Sequence, residues 1–307
     1  MTKGPIKDVA RSVHQRLLNV ARKTGRPFND VVQYYADERW LGRLSKSPHG
    51  GRFVLKGALM LLVWDTPMTR PTRDIDLLGR VSNDLESMRS LMAEICRTPV
   101  EDDGLVFDAE SVTTERIAED ADYEGVRSKF RARLGTNRIA MQIDIGFSDV
   151  ITPAPVRITY PTILDLPMID LHAYNRETVV AEKFEAMVKL GELNSRMKDF
   201  FDIWLLARHF AFDGRVLAEA IRRTFEQRGT PVEAEPICFT GEFATDSSRV
   251  TQWSAFLRRS RLEDAPAEFP EVVRHVRAFL RLPATALTEA REFDMRWPPG
   301  GPWQPRS

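Results

Sequence analysis

The stretch RPTRDIDLL, residues 70–78, decides how the rest of this chain reads. It sets two acids, Asp74 and Asp76, one residue apart in an apolar run. In a strand, alternate side chains point to opposite faces, so Ile75 and Leu77 turn one way and both carboxylates the other. Two like charges side by side cost energy unless a cation sits between them. A solvated sheet surface would carry a lone D-x-D about as well as a metal site would. The choice therefore depends on what else the chain supplies.

It supplies a third strand acid. In NRIAMQIDIGF (137–147), Ile139, Met141, Ile143, Ile145 and Phe147 share one face and Asp144 stands on the other. If the two strands are neighbours, three carboxylates converge. Hard oxygen ligands gathered in this way suit Mg²⁺ or Mn²⁺, and paired ions of this kind serve in-line displacement at phosphorus. Upstream, Lys56-Gly57-Ala58 reads as a strand-to-helix turn whose backbone N–H groups could hold phosphate. Arg70 and Arg73 flank the acids and could grip a triphosphate or a nucleic-acid phosphate, or simply balance local charge.

Farther along come two strong helices, at about 176–191 and 196–210. In TVVAEKFEAMVKL, Lys183 lies beside the apolar stripe of Val180, Phe184, Met187 and Val188. In RMKDFFDIWLLARHF, Asp199 and Asp202 are three residues apart and share a face bordered by Phe200, Phe201, Trp204 and Leu205. Acids in that company suggest a site, with surface salt bridging, for example Lys198 with Asp202, as the alternative.

The chain around these motifs is ordinary in composition. Its 307 residues suffice for one large domain or two smaller ones. Apolar residues make up 43% and charged residues 29%, which excludes a disordered chain. Basic and acidic residues balance at 44 each, so net charge points to no partner. Cys96 and Cys238 lack metal-type spacing and fit a reducing compartment. The polar N-terminus is not a signal peptide, and no apolar run spans a bilayer, so a cytoplasmic protein without membrane contact is expected.

Helices are expected at 6–24, 29–45, 83–96, 215–227, 249–262 and 269–281, with strands between 104 and 160. PTILDLPMIDLHAY reads as irregular, GTPVEAEPICFTGEF as a linker, and RWPPGGPWQPRS as a loose tail. The basic stretch RSKFRARLGTNR (127–138) favours an RNA acceptor only mildly, since strand edges often carry such charges.

Taken in order, FVLKGALML, RPTRDIDLL, MQIDIGF, VVAEKFEAMV and SRMKDFFDIWLL resemble the AbiEii-type nucleotidyltransferases, toxins of type IV toxin–antitoxin and abortive-infection systems that include the MenT-like proteins. The motifs span roughly residues 50–210. The resemblance implies an α+β fold of the DNA polymerase β-like nucleotidyltransferase type. Residues 1–50 would form N-terminal helices, 51–170 a mixed-sheet domain, 171–295 a C-terminal helical domain and 296–307 a flexible tail. It implies Mg²⁺ (or Mn²⁺), an NTP substrate, a tRNA 3′ end as acceptor and a cognate antitoxin.

Matched residue by residue, Asp74 and Asp76 are the metal-binding pair and Asp144 the third carboxylate. Lys183 and Asp199 are catalytic, with Asp202 one turn on. Lys56, Gly57, Arg73 and Lys183 would bind the nucleotide, with Arg70 nearby. Ala58 departs from the small Gly or Ser usual after Gly57, which bears on how the triphosphate is held. Thr72, two residues before Asp74, is a candidate phosphorylation site, because a phosphate there would repel the triphosphate. The rival readings are a related transferase acting on a small-molecule or protein hydroxyl, and a non-catalytic binding relative.

Overall fold

The computed structural model describes residues 8–66, 71–72, 74–118 and 124–306. Arg70 and Arg73 lie outside these residues. The chain divides into two compact units. One comprises residues 1–64, 71–148 and 156–173; the other comprises 65–70, 149–155 and 174–307.

The first unit opens with helices α1 (Val9–Thr24) and α2 (Phe28–Lys46). Asp8 starts α1 by accepting a hydrogen bond from the Arg11 N–H at 2.9 Å. Val13, Leu17 and Ala21 are its buried stripe. The other α2 is buried nearly all round. Tyr35, Trp40 and Leu41 are fully enclosed, and Asp37, Glu38, Arg39 and Arg43 are buried too, which no apolar stripe foretold. Buried charge must be paired. Accordingly Arg43 grips Asp103 with two bonds, of 2.6 and 3.1 Å, and Glu38 meets Arg39 at 2.5 Å and accepts from the Ile163 N–H at 2.7 Å.

Strand β1 (Phe53–Lys56) runs through a 3-10 turn at Gly57–Leu59 into the single-turn helix α3 (Met60–Val63). Then come β2 (Ile75–Gly79), α4 (Leu85–Arg97), β3 (Leu105–Ala118), β4 (Glu124–Leu134), β5 (Asn137–Gly146), β6 (Val156–Tyr160) and β7 (Ile169–Ala173). They form one seven-stranded sheet in the order β3-β4-β5-β2-β1-β7-β6. The pairs β2–β5 and β1–β7 are parallel and the others antiparallel, so the sheet is mixed. The alternation read in 139–145 is real: Ile139, Met141, Ile143 and Ile145 are all buried.

β7 corrects the irregular reading of 161–174. IDLHA alternates Ile169, Leu171 and Ala173 inward with Asp170 and His172 outward. The prolines before it break the chain without preventing a short strand.

The second unit is helical: α5 (Arg176–Leu190), α6 (Met197–His209), the two-residue strand β8 (Phe212–Asp213), α7 (Gly214–Arg228), α8 (Gly241–Thr245), α9 (Ser247–Ser260) and α10 (Phe269–Thr288). Aromatic rings fill its interior, with Phe184 against Phe225 and Phe239, and Phe200 against Phe243 and Phe269. The segment read as a linker contributes to this core through buried Cys238, Phe239 and Phe243.

The tail departs most from expectation. Instead of hanging loose, it adds β9 (Met295–Trp297) and β10 (Gln304–Pro305) to β8 as a small antiparallel sheet. Two tryptophans explain why. Pro283 stands inside α10 and has no N–H to offer the carbonyl four residues back, that of Phe279. The Trp303 indole N–H donates to that carbonyl at 2.8 Å. The Ala207 carbonyl lies in the last turn of α6, where intrahelical donors run out. It accepts from the Trp297 indole at 2.7 Å and from the Gly300 N–H at 3.0 Å. Trp297 is 1% exposed and Trp303 7%, so apolar burial adds to both bonds.

Candidate active site

Strands β2 and β5 are parallel neighbours in a register that sets Asp76 directly beside Asp144. Asp74 lies on the same face two residues earlier. One carboxylate oxygen from each of Asp74, Asp76 and Asp144 lies within 4.8 Å of the other two. Octahedral Mg²⁺ binds oxygen at about 2.1 Å, which puts ligands on opposite sides about 4 Å apart. Small side-chain adjustments therefore suffice for a shared cation, and the donor set is the hard one such a cation takes. The sheet thus brings together the three acids that the sequence singled out.

Across β1, Lys56 is the register partner of Asp76, and it is buried. Gly57 follows with φ +75°, a conformation that L side chains rarely adopt. A Cβ at this position would lie 1.9 Å from Asp76 Oδ2 and 2.6 Å from its Cγ. Glycine is required here twice over, by the backbone turn and by the carboxylate pressed against it. Thr72 donates its hydroxyl to Asp74 Oδ1 at 2.6 Å, and its own N–H donates to the Tyr34 hydroxyl at 3.2 Å. Thr72 is half-buried, tied to one of the acids rather than displayed on an open loop.

Asp144 is held by residues that no motif signalled. Arg127 on β4 donates through Nε to Oδ1 at 2.8 Å and through Nη2 to Oδ2 at 2.7 Å. Gln142 donates to Oδ2 at 3.2 Å. The basic stretch containing Arg127 is not an open cationic stripe, because Lys129 pairs with Glu115 and Arg131 with Asp108. Three of its five basic residues thus answer acids on adjacent strands.

Behind the acids, Asp37 is fully enclosed. Burial pushes its carboxyl well above the ordinary range, the Gln33 amide pulls it back, and Asp74 pushes it up again.

The helical unit holds the second constellation. Asn175 starts α5 by accepting from the Thr178 N–H at 2.8 Å, which fixes the phase of the helix and turns Lys183 toward α6. Lys183 Nζ lies 2.6 Å from Asp199 Oδ1 and 2.9 Å from Asp202 Oδ2. Arg196 Nε reaches Asp199 Oδ2 at 2.8 Å. Both acids are buried. Burial drives the Asp199 carboxyl up, but Lys183, Arg196 and Lys198 outweigh it and hold the group below its ordinary value. The two acids thus set the direction of the Lys183 side chain.

In the same unit, Arg228 sits in a nest of Asp149, Glu182 and Glu185, and the Thr230 hydroxyl closes it onto Glu185. This cluster ties α7 to α5, and sequence reading missed it because its partners lie more than forty residues apart.

Two solved structures from Helicobacter pylori are similar in outline. One, JHP933, is 15% identical, with 84% of this chain and 93% of that one covered and a TM-score of 0.48. The other, described as a candidate nucleotidyltransferase, is also 15% identical, with 94% and 100% covered and a TM-score of 0.45. No curated protein matches in sequence. The profile described as "Nucleotidyl transferase AbiEii toxin, Type IV TA system" matches residues 39–278. That span contains the acid triad, the glycine turn and the Lys183 cluster. The chain belongs to the AbiEii nucleotidyltransferase toxins of type IV toxin–antitoxin systems.

Proposed function

We propose that this toxin transfers nucleotides from an NTP to an RNA acceptor, the 3′ end of tRNA, in the cytoplasm, and thereby blocks translation. The observation that carries the reading is the convergence of Asp74, Asp76 and Asp144 on one point of the sheet. In the reaction, the acceptor hydroxyl oxygen forms a bond to the α-phosphorus. The bond to the β-phosphate oxygen breaks, and pyrophosphate leaves.

Asp74, Asp76 and Asp144 would hold Mg²⁺, which when bound acidifies the hydroxyl and offsets the triphosphate's charge. Gly57 keeps the Asp76 carboxylate in place, because no side chain occupies the space beside it. Lys56 lies opposite Asp76 and tempers the crowding of negative charge. By its likeness to the family's lysine, Lys183 would serve the phosphates, and Asp199 sets its direction. A growing 3′ extension on tRNA would deny it an amino acid. An antitoxin, which the family implies, would prevent this.

We also propose regulation at Thr72, which its contact with Asp74 supports. Its hydroxyl already donates to Asp74, so a phosphate in its place would set about two negative charges against a carboxylate. That would repel the triphosphate and silence the enzyme.

The test is incubation of the purified protein with total tRNA, Mg²⁺ and each labelled NTP in turn. Label on tRNA is expected with the wild type and should disappear with Asp76→Ala. Lys183→Ala should lose at least about a hundredfold in rate. Label on a protein or small molecule would redirect the reading to another hydroxyl acceptor. No label with any NTP would overturn it.

A further inference from the structure

The third carboxylate of the cluster is already occupied from within the protein. Arg127 meets Asp144 with two parallel bonds, one to each oxygen, and Gln142 adds a third. Paired forks of this kind are the strongest hydrogen-bonded ion pairs that side chains make. Nor is this a chance rotamer. The β4–β5 register sets Arg127 directly opposite Asp144, so the pairing is written into the sheet. Asp144 is 7% exposed at its side chain and cannot turn to water for other partners, whereas Arg127 is 31% exposed and has solvent to retreat into.

A carboxylate so engaged has little left for a metal. A cation can take Asp144 fully only if the guanidinium withdraws. Two positive groups crowding one buried carboxylate would also repel each other. We infer that Arg127 is a positioning residue that holds Asp144 while the acid cluster is without metal, and that it competes with the divalent cation for this carboxylate. The inference rests on the triad being the metal site. Its consequence is an equilibrium: the fraction of molecules in which Arg127 has let go sets the apparent metal affinity. The cation is not merely bound. It is exchanged for a side chain, and at low metal the closed pairing keeps the acids from repelling one another.

The experiment is a Mn²⁺ titration of the full chain, read by the loss of the free-ion paramagnetic signal and by the metal-induced rise in Tm. It compares wild type, Arg127→Ala, Arg127→Lys and Asp76→Asn. Arg127→Ala is expected to bind Mn²⁺ about tenfold more tightly and to show a larger rise in Tm than the wild type. Arg127→Lys keeps the charge but loses the fork, so its affinity should lie between the two. Asp76→Asn should weaken binding.

A folded Arg127→Ala protein with unchanged or weaker affinity would overturn the competition, since a purely structural arginine would do no more than lower stability. If the alanine variant does not fold, Arg127→Lys decides: tighter binding than wild type supports competition, and unchanged or weaker binding overturns it. If Asp76→Asn leaves affinity intact, or no variant binds Mn²⁺, the metal-site reading fails and this inference falls with it. The two failures are thereby told apart.

Discussion

At position 57, one methyl group would separate a working site from a broken one. Gly57→Ala puts a carbon where Asp76 Oδ2 now lies and asks alanine for φ +75°. The backbone strain alone costs about 1–2 kcal/mol, which a folded domain can absorb. The displaced carboxylate is the larger loss. We expect Gly57→Ala to fold, with a Tm a few degrees lower, and to lose transferase activity as fully as Asp76→Ala. A variant with wild-type activity would show that Asp76 does not need its present position.

The acids were legible in the sequence because a period of two is a local signal; their convergence waited on the pairing of β2 with β5. The shared face of Asp199 and Asp202 was legible at helical spacing, but not their grip on Lys183, which joins two different helices. Arg127 was not, since its role arises from a register between strands, and in sequence it is one of several bases in a row.

At the scale of elements, the C-terminal segment shows how composition misleads. Proline and glycine content argued for a loose tail, yet indole N–H groups answer carbonyls that α10 and α6 leave without helical partners. The signal was present as Pro283 and the two tryptophans, but only the fold joins them. Trp303→Phe keeps the ring and removes the donor. It leaves the Phe279 carbonyl buried without a partner, at a cost of about 1–3 kcal/mol. Chemical denaturation should report that loss, and Trp303→Phe should sensitise the tail to proteolysis. An unchanged midpoint would show that ring packing alone holds it. β7 was missed on similar grounds. Five residues just after Pro161 and Pro167 carry a weak pattern, and their strand character comes from β1 and β6 on either side.

For the whole molecule, the buried charges of α2 link stability to pH. Burial raises the Glu38 carboxyl from an ordinary 4.5 to about 7, against the pull of Arg39 and the Ile163 N–H. Between those two values, the folded chain keeps a proton that the unfolded chain has released. Raising the pH through this window therefore costs stability, and the cost is complete above about 7. Glu38→Gln cannot titrate. The wild type should lose stability relative to Glu38→Gln as pH climbs from 4.5 to 7, and the difference should be flat above that. Equilibrium unfolding of both proteins across this range measures it. Parallel curves would refute the shift.

The register that faces Arg127 with Asp144 also bears on the order in which the sheet is assembled. Strands β4 and β5 are joined by two residues and meet by local closure, while β2 must find β5 across about sixty residues of intervening chain. The hairpin thus neutralises Asp144 before β2 arrives with Asp76, and the late strand docks on an edge already stripped of its negative charge. Without Arg127, that docking pairs two bare carboxylates. Arg127→Ala should therefore refold more slowly than the wild type at low ionic strength and regain much of the deficit as salt screens the encounter.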